Sequence, residues 1–286
     1  MTMAATTMPE KKAPGLIRRL PSSPIAMIGL GLILVWLVLA LAAPLLPLAP
    51  PNQEDMLALA NPLPSAQHWL GVDMRGRDIL ARLIWGARTV LAVAPLAALC
   101  AYAVGAPLGL AAGYYGGWVD LLISRASDII LSFPIIILYV ILIAAIGPSP
   151  LNIVLAVVLT AAPGIARIVR GLTLEQRHLD YIAAAQLRRE SALYIMFVEL
   201  LPNCRGPLIT DFCLRVGYTI ITIGILGFLG LGLPPPDPDW GGMVKEATAM
   251  VSIFPHMAIL PALAIVSLVL GFNLLADGLR DLSLKE

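Results

Sequence analysis

Charge is scarce in this 286-residue chain. Asp, Glu, Lys and Arg make up 13% of it, against about 25% in an ordinary soluble domain. Polar low-complexity tracts are missing and 59% of the residues are apolar, which excludes intrinsic disorder. A soluble protein with so few polar groups could not cover its own surface. An integral membrane protein is the class that remains. The net charge of +1 leaves no electrostatic footprint for nucleic acid. Three cysteines, Cys100, Cys204 and Cys213, are too few and too scattered for a disulfide framework or a zinc site. They read as buried, inert thiols. The phosphate-cradling pattern G-x-x-x-x-G-K-S/T is absent, so the chain hydrolyses no nucleotide by that route. No nucleophile–base–acid set is visible, and His68, His178 and His256 stand alone. No catalytic residue, metal or cofactor is expected. Nor does a chain of acids or histidines occupy mid-membrane positions, as proton-coupled carriers require. Asp211 and Arg215 are the exception. Four residues apart at the inner end of a predicted helix, they read as a mutual ion pair, with pore lining as the alternative.

What is present is a set of long uncharged runs. Asp, Glu, Lys and Arg are missing from 20–53, 89–119, 129–166, 216–236 and 247–276. A spanning helix needs about 20 apolar residues, and the third run holds two, separated by Gly147-Pro148-Ser149-Pro150. The expected fold is all-α and polytopic, with six spanning helices near 24–48, 88–113, 127–147, 150–170, 208–232 and 256–277. Six spans place both termini on one side. With the termini inside, thirteen Lys and Arg lie inside, five outside and Arg215 within a helix end, which favours cytoplasmic termini. The first apolar stretch is about twice the length of a signal-peptide core, so it reads as a span behind an N-terminal tail, 1–23, with 24–286 forming the membrane domain.

Two segments outside the spans carry further information. The outer segment, 49–87, follows a proline cluster and reads His68-Trp69-Leu70-Gly71-Val72-Asp73, then Gly76-Arg77-Asp78. Ile79, Leu80, Leu83 and Ile84 fall at helical spacing, which predicts an amphipathic interfacial helix with Asp78 and Arg82 paired on an exposed face. Trp69 and Trp85 read as interfacial anchors. A second outer loop covers 233–255. The inner segment, 171–207, is alanine-rich and helix-favouring. Leu193, Met196, Phe197, Leu200 and Leu201 follow the spacing of one apolar face, and Pro202-Asn203 ends it. Two short helices are expected there, one showing small side chains to the cytoplasm. Docking to another protein and packing on the chain's own bundle are both compatible with that spacing. Gly227-Phe228-Leu229-Gly230-Leu231-Gly232 follows a membrane run, so close helix packing is its expected use.

These residues resemble a family. His68 to Asp73 with Gly76-Arg77-Asp78 and Gly86-Ala87-Arg88; Gly113-Tyr114-Tyr115-Gly116-Gly117 with Asp120; Gly227 to Gly232 followed by Pro235-Pro236, Pro238 and Trp240-Gly241; and Phe272-Asn273-Leu274-Leu275 with Asp277-Gly278-Leu279-Arg280-Asp281 occur in order. Together they resemble the permease subunits of bacterial ATP-driven importers of the dipeptide/oligopeptide/nickel group, specifically the shorter of the two paired permeases. The likeness runs from about Pro24 to Leu282. The family usually has Thr where Val72 stands. The resemblance implies the type I importer-permease fold, an inner-membrane location, a second homologous permease, two ATP-binding subunits and a periplasmic or lipoprotein receptor. Membrane lipid is the remaining partner, and nucleic acid is not one. It implies ATPase coupling through Asp180, Tyr181, Ala183, Ala184, Ala185, Leu187 and Arg189, and a receptor-facing outer surface including Asp73, Gly76, Arg77, Asp78 and Trp240. The family's coupling motif runs Glu-Ala-Ala-x-x-x-Gly; here Ala183 replaces the Glu and Arg189 replaces the Gly. A stand-alone carrier or channel is the rival reading. Short peptide is the default substrate by family frequency, with nickel chelate, opine and sugar conjugate open.

Overall fold

The structure, a computed structural model, describes residues 20–234 and 237–283. Most of the expected tail, the Pro235-Pro236 pair and Lys285 lie outside the described residues. The first helix, α1 (Pro24–Ala42), starts where Ser23 accepts a hydrogen bond from the Ala26 amide at 3.3 Å and Pro24 takes the first turn, a position where its missing N–H costs nothing. After a long loop come α2 (Ile79–Tyr115), α3 (Gly117–Leu131), α4 (Ile135–Ile146) and α5 (Pro150–Gln176). The short α6 (Asp180–Leu187) and α7 (Ala192–Asn203) follow, then α8 (Arg205–Leu229), α9 (Trp240–Ala247) and α10 (His256–Ser283). Among the described residues, five helices are long and apolar enough to cross a membrane, and six if α3 and α4 form one broken span.

Two expectations about the spans need correction. The interfacial helix and the second span are one continuous 37-residue helix, α2. Ile79, Leu83 and Ile84 are buried in the protein rather than laid on lipid. The single helix expected over 127–147 is instead two helices bent by 85°, joined through Ser132-Phe133-Pro134. Pro134 lacks an amide donor and pushes Phe133 out of the helical region. The predicted glycine break before α5 is present: Gly147 takes φ 87°, and Ser149 caps the Asn152 amide at 3.1 Å.

At the centre, α2 lies along α5. Gly105, Gly109 and Gly113 recur every four residues on α2, and a Cβ on any of them would run into α5. Lipid gives no hydrophobic drive between helices, so small residues that let backbones approach supply the packing. Of the most apolar windows, that of α5 is 56% buried and that of α1 only 22%. α1 is thus peripheral, held to α10 by Trp36 Nε1 donating to Ser267 Oγ at 2.9 Å.

Candidate functional site

Two regions of the bundle, at opposite ends of α5, hold the predicted site residues. The first is the α6–α7 segment. Ile182 and Ala185 of α6, with Ile195, Met196 and Leu200 of α7, are buried in one apolar cluster with Leu110 of α2 and Ile165 and Val169 of α5. The segment is therefore fastened to the two central helices. Asp180, Ala183, Ala184, Leu187 and Arg189 are exposed, and Leu187 is 85% exposed. Tyr181 is half-buried and donates to Gln176 Oε1 at 2.8 Å. Ala185 turns inward, so the small-residue ledge consists of Ala183 and Ala184. The predicted apolar face of α7 is also corrected. A π-helical stretch at Ile195–Leu200 shifts the register, burying Ile195, Met196 and Leu200 and exposing Leu193 and Phe197.

Arg189 is the left-handed residue of the turn after α6, at φ 60°, and among the described residues no other non-glycine has positive φ. Its amide donates to Gln186 at 2.9 Å and the Glu190 amide to Ala185 at 3.2 Å, the paired bonds of a Schellman cap. The same pair closes α8, where Gly230 at φ 83° donates to Gly227 and Leu231 to Leu226. The arginine therefore adopts the geometry that the family motif gives to glycine. A left-handed L-residue with a side chain costs about 1 kcal/mol. Arg189→Gly is expected to raise the thermal midpoint in detergent, by an amount equivalent to about 1 kcal/mol. An unchanged or lowered midpoint would refute the strain.

The second region joins the loop before α2 to α9. Asp78 caps α2 by accepting from the Ala81 amide at 2.7 Å and pairs with His68 Nδ1 at 2.8 Å. His68 Nε2 also lies 3.5 Å from Asp55. The backbone amides of Ala58 and then Leu57 hold the Asp55 carboxyl below its ordinary range. Arg77 donates to Asp73 through Nε at 2.7 Å and reaches across to Glu246 of α9. Gly76, at φ 74°, sits against the Asp55 carbonyl where a Cβ would collide. The expected Asp78–Arg82 surface pair is absent. Arg82 is buried beside Asp73 at 3.5 Å, its Nη1 donating to Pro51 O and Asn52 Oδ1 at 3.2 Å each. Trp240 is 1% exposed, donates to Leu83 O at 3.0 Å and packs on Trp36 with ring centroids 5.0 Å apart. Asp73, Arg77, Asp78 and Trp240 are thus internal braces of this end, not a free surface.

Sequence pattern alone does not single out Asp239. Its carboxylate accepts from the Gly241 amide at 3.0 Å and fills the space where side chains on Gly227 and Gly232 would stand. The glycine run therefore houses a buried carboxylate besides packing helices. Burial pushes that carboxyl up to about 6, against the backbone amides of Gly241, Gly242 and Leu233 and the Arg82 charge, which pull it down. In the sequence, glycines spaced by five, followed closely by an acid at a helix start, were the available signal. Asp211 and Arg215 form the expected ion pair at 2.8 Å, and Tyr102 donates to the same carboxylate.

An all-helical bundle of this form, with a braced end opposite a folded inter-helix segment, defines a polytopic membrane component with the type I importer-permease fold. It resembles a chain of the inward-facing MetNI methionine ABC transporter, with a TM-score of 0.53 at 20% identity over 72% of this chain and 96% of that one. The chain is 43% identical over 253 residues to the glutathione transport system permease protein GsiD of Pectobacterium atrosepticum, covering 88% of this chain and 84% of that protein. It is 38% identical over 269 residues to the dipeptide transport system permease protein DppC of Alkalihalophilus pseudofirmus, covering 92% and 86%. Residues 105–285 match the family of binding-protein-dependent transport system inner membrane components. The chain belongs to that family and is a multi-pass permease subunit of an ABC importer.

Proposed function

We propose that this subunit forms, with a second homologous permease, the path for short peptides delivered by an external binding protein. Two ATP-binding subunits supply the energy through α6, the chain itself is non-catalytic, and both termini are cytoplasmic. One observation carries the coupling assignment. The exposed ledge at Ala183 and Ala184 is backed by fully buried Ile182 and Ala185, in the cluster that also contains Leu110 of α2 and Ile165 of α5. A push on the ledge therefore acts on the central helices as a rigid lever. Alternating access needs such discrete packings of whole helices, since lipid tolerates no unpaired backbone. Asp180, Tyr181, Leu187 and Arg189 would border the docking surface. The names of the glutathione and dipeptide permeases support short peptide over nickel chelate, opine or sugar conjugate.

The test is reconstitution. The tagged chain is expected to co-purify with a second permease and two ATP-binding subunits, and the assembly to import dialanine only with receptor and ATP. Dialanine flux through the chain alone, without ATP, would instead establish a stand-alone carrier.

A further inference from the structure

The end of the bundle around α9 forms a half-open cavity of about 600 Å³. Its wall holds charges of both signs that the fold leaves under-compensated. Arg82 is 5% exposed, and its Nε is the buried side-chain polar atom without a hydrogen-bond partner among the described residues. Its ion-pair neighbour Asp73 is already engaged by Arg77. Arg82 cannot swing away to find water, because its Nη1 is tied to Pro51 and Asn52. On the same wall, Asp239 is buried in its glycine cradle and receives backbone amides and the field of Arg82, but among the described residues no ion pair. Asp237, Glu54 and Lys245 also line the cavity, and none has an ion pair among the described residues.

The buried Arg82 guanidinium, whose Nε has only Asp73 Oδ2 at 3.5 Å, calls for an acceptor oxygen on its cavity side, and a carboxylate is its best geometric match. The buried Asp239 carboxylate calls for a donor cation, because an uncompensated charge of either sign is costly to bury, and the exposed Asp237 adds a second acceptor at the rim. A simple anion would aggravate Asp239, and a simple cation would aggravate Arg82. A molecule carrying both charges satisfies both. The volume lies in the range of small-molecule sites.

We infer that this cavity is a binding site for a zwitterion, taking the carboxylate of a short peptide on Arg82 and its ammonium group on Asp239 and Asp237. The inference deepens the peptide reading above and rests on it. The site would hold the solute at the permease mouth on its way from receptor to path, weakly enough for onward passage. Selectivity would then be shared between receptor and permease, with both free peptide termini read a second time.

The experiment uses the intact importer in nanodiscs without receptor, and measures equilibrium binding of radiolabelled dialanine. Saturable binding is expected. N-acetyl-dialanine and dialanine amide, each missing one charge, should compete at least tenfold more weakly. Arg82→Lys, which keeps the charge but loses the fork, should weaken dialanine at least tenfold. Size-exclusion chromatography of that variant verifies assembly, and the blocked peptides test the site on wild-type protein whether or not the variant folds. Equal competition by the blocked peptides, or no saturable binding, overturns the inference. Receptor-delivered dialanine uptake in the same preparation separates the two failures. If uptake persists without saturable binding, the cavity assignment alone falls; if uptake is also absent, the peptide reading falls with it.

Discussion

Ala184→Arg is expected to reduce receptor-stimulated ATP hydrolysis and uptake at least tenfold while leaving the permease inserted and folded. The residue is exposed, so a longer side chain meets nothing in its own chain. Its neighbours Ile182 and Ala185 carry the packing, both 0% exposed, and the substitution leaves them untouched. What changes is the shape and charge of the ledge. A helix that docks in a groove does so through a small contact face, and an unpaired charge forced into such a contact is strongly penalised. A loss of about 3 kcal/mol in docking corresponds to more than a hundredfold in affinity, enough to separate the subunits at working concentrations. Ala185→Arg should instead fail to fold, because it would bury a charge beneath α6. The two neighbouring alanines thus separate docking from stability. Unchanged hydrolysis and uptake in the Ala184 variant would remove the coupling assignment.

The same segment shows what the amino-acid order could and could not convey. The uncharged runs located the five long spanning helices, because burying charge in lipid is costly, but not their ends: α2 starts at Ile79 and α8 at Arg205, each ahead of its run. Hydropathy does not register a lost amide donor, so it gives no sign of the 85° break at Pro134, although the proline stands in the sequence. On α7, helical spacing over residues 193–201 predicts one apolar face, but one π turn moves later side chains off it. No residue type in that stretch announces such a turn.

Around α9 the difficulty was of another kind. Asp73, Arg77, Asp78 and Trp240 were recognisable as a group but not as buried. Their burial depends on α9 folding back across the start of α2, a contact between residues more than 150 positions apart in the chain, Trp240 Nε1 to Leu83 O. Arg82, placed by helical spacing on an exposed face, is held inside by backbone carbonyl and amide oxygen from Pro51 and Asn52. Local pattern identifies which residues carry charge; the long-range closure decides whether that charge meets water.

Gly109→Val should cost about 3 kcal/mol or more and prevent the protein from accumulating as a monodisperse species. A Cβ at this position would stand 2.5 Å from the Ala166 carbonyl oxygen, 2.6 Å from Val169 Cβ and 3.0 Å from the Arg170 amide nitrogen. Those atoms belong to α5 or are fixed close to its backbone, so no flexible tip can yield. The two helices must separate along the whole glycine stripe. Gly105 and Gly113, at 2.6 Å from Ala162 O and Thr173 Cβ on the same measure, would lose their contacts too. Dispersion falls steeply with distance, and in lipid no hydrophobic term compensates. The consequence reaches the far end of α5, because the Ile182 and Ala185 anchors pack on the same helix pair. Gly171→Ala supplies the contrast. It lies on the partner helix, α5, with no atom within 4 Å of its would-be Cβ, so relief of the glycine entropy cost should leave stability equal or slightly higher. Size-exclusion profiles and thermal melts of both variants decide the matter. If Gly109→Val accumulates and melts like the wild type, the close α2–α5 contact is not what holds the centre of this bundle together.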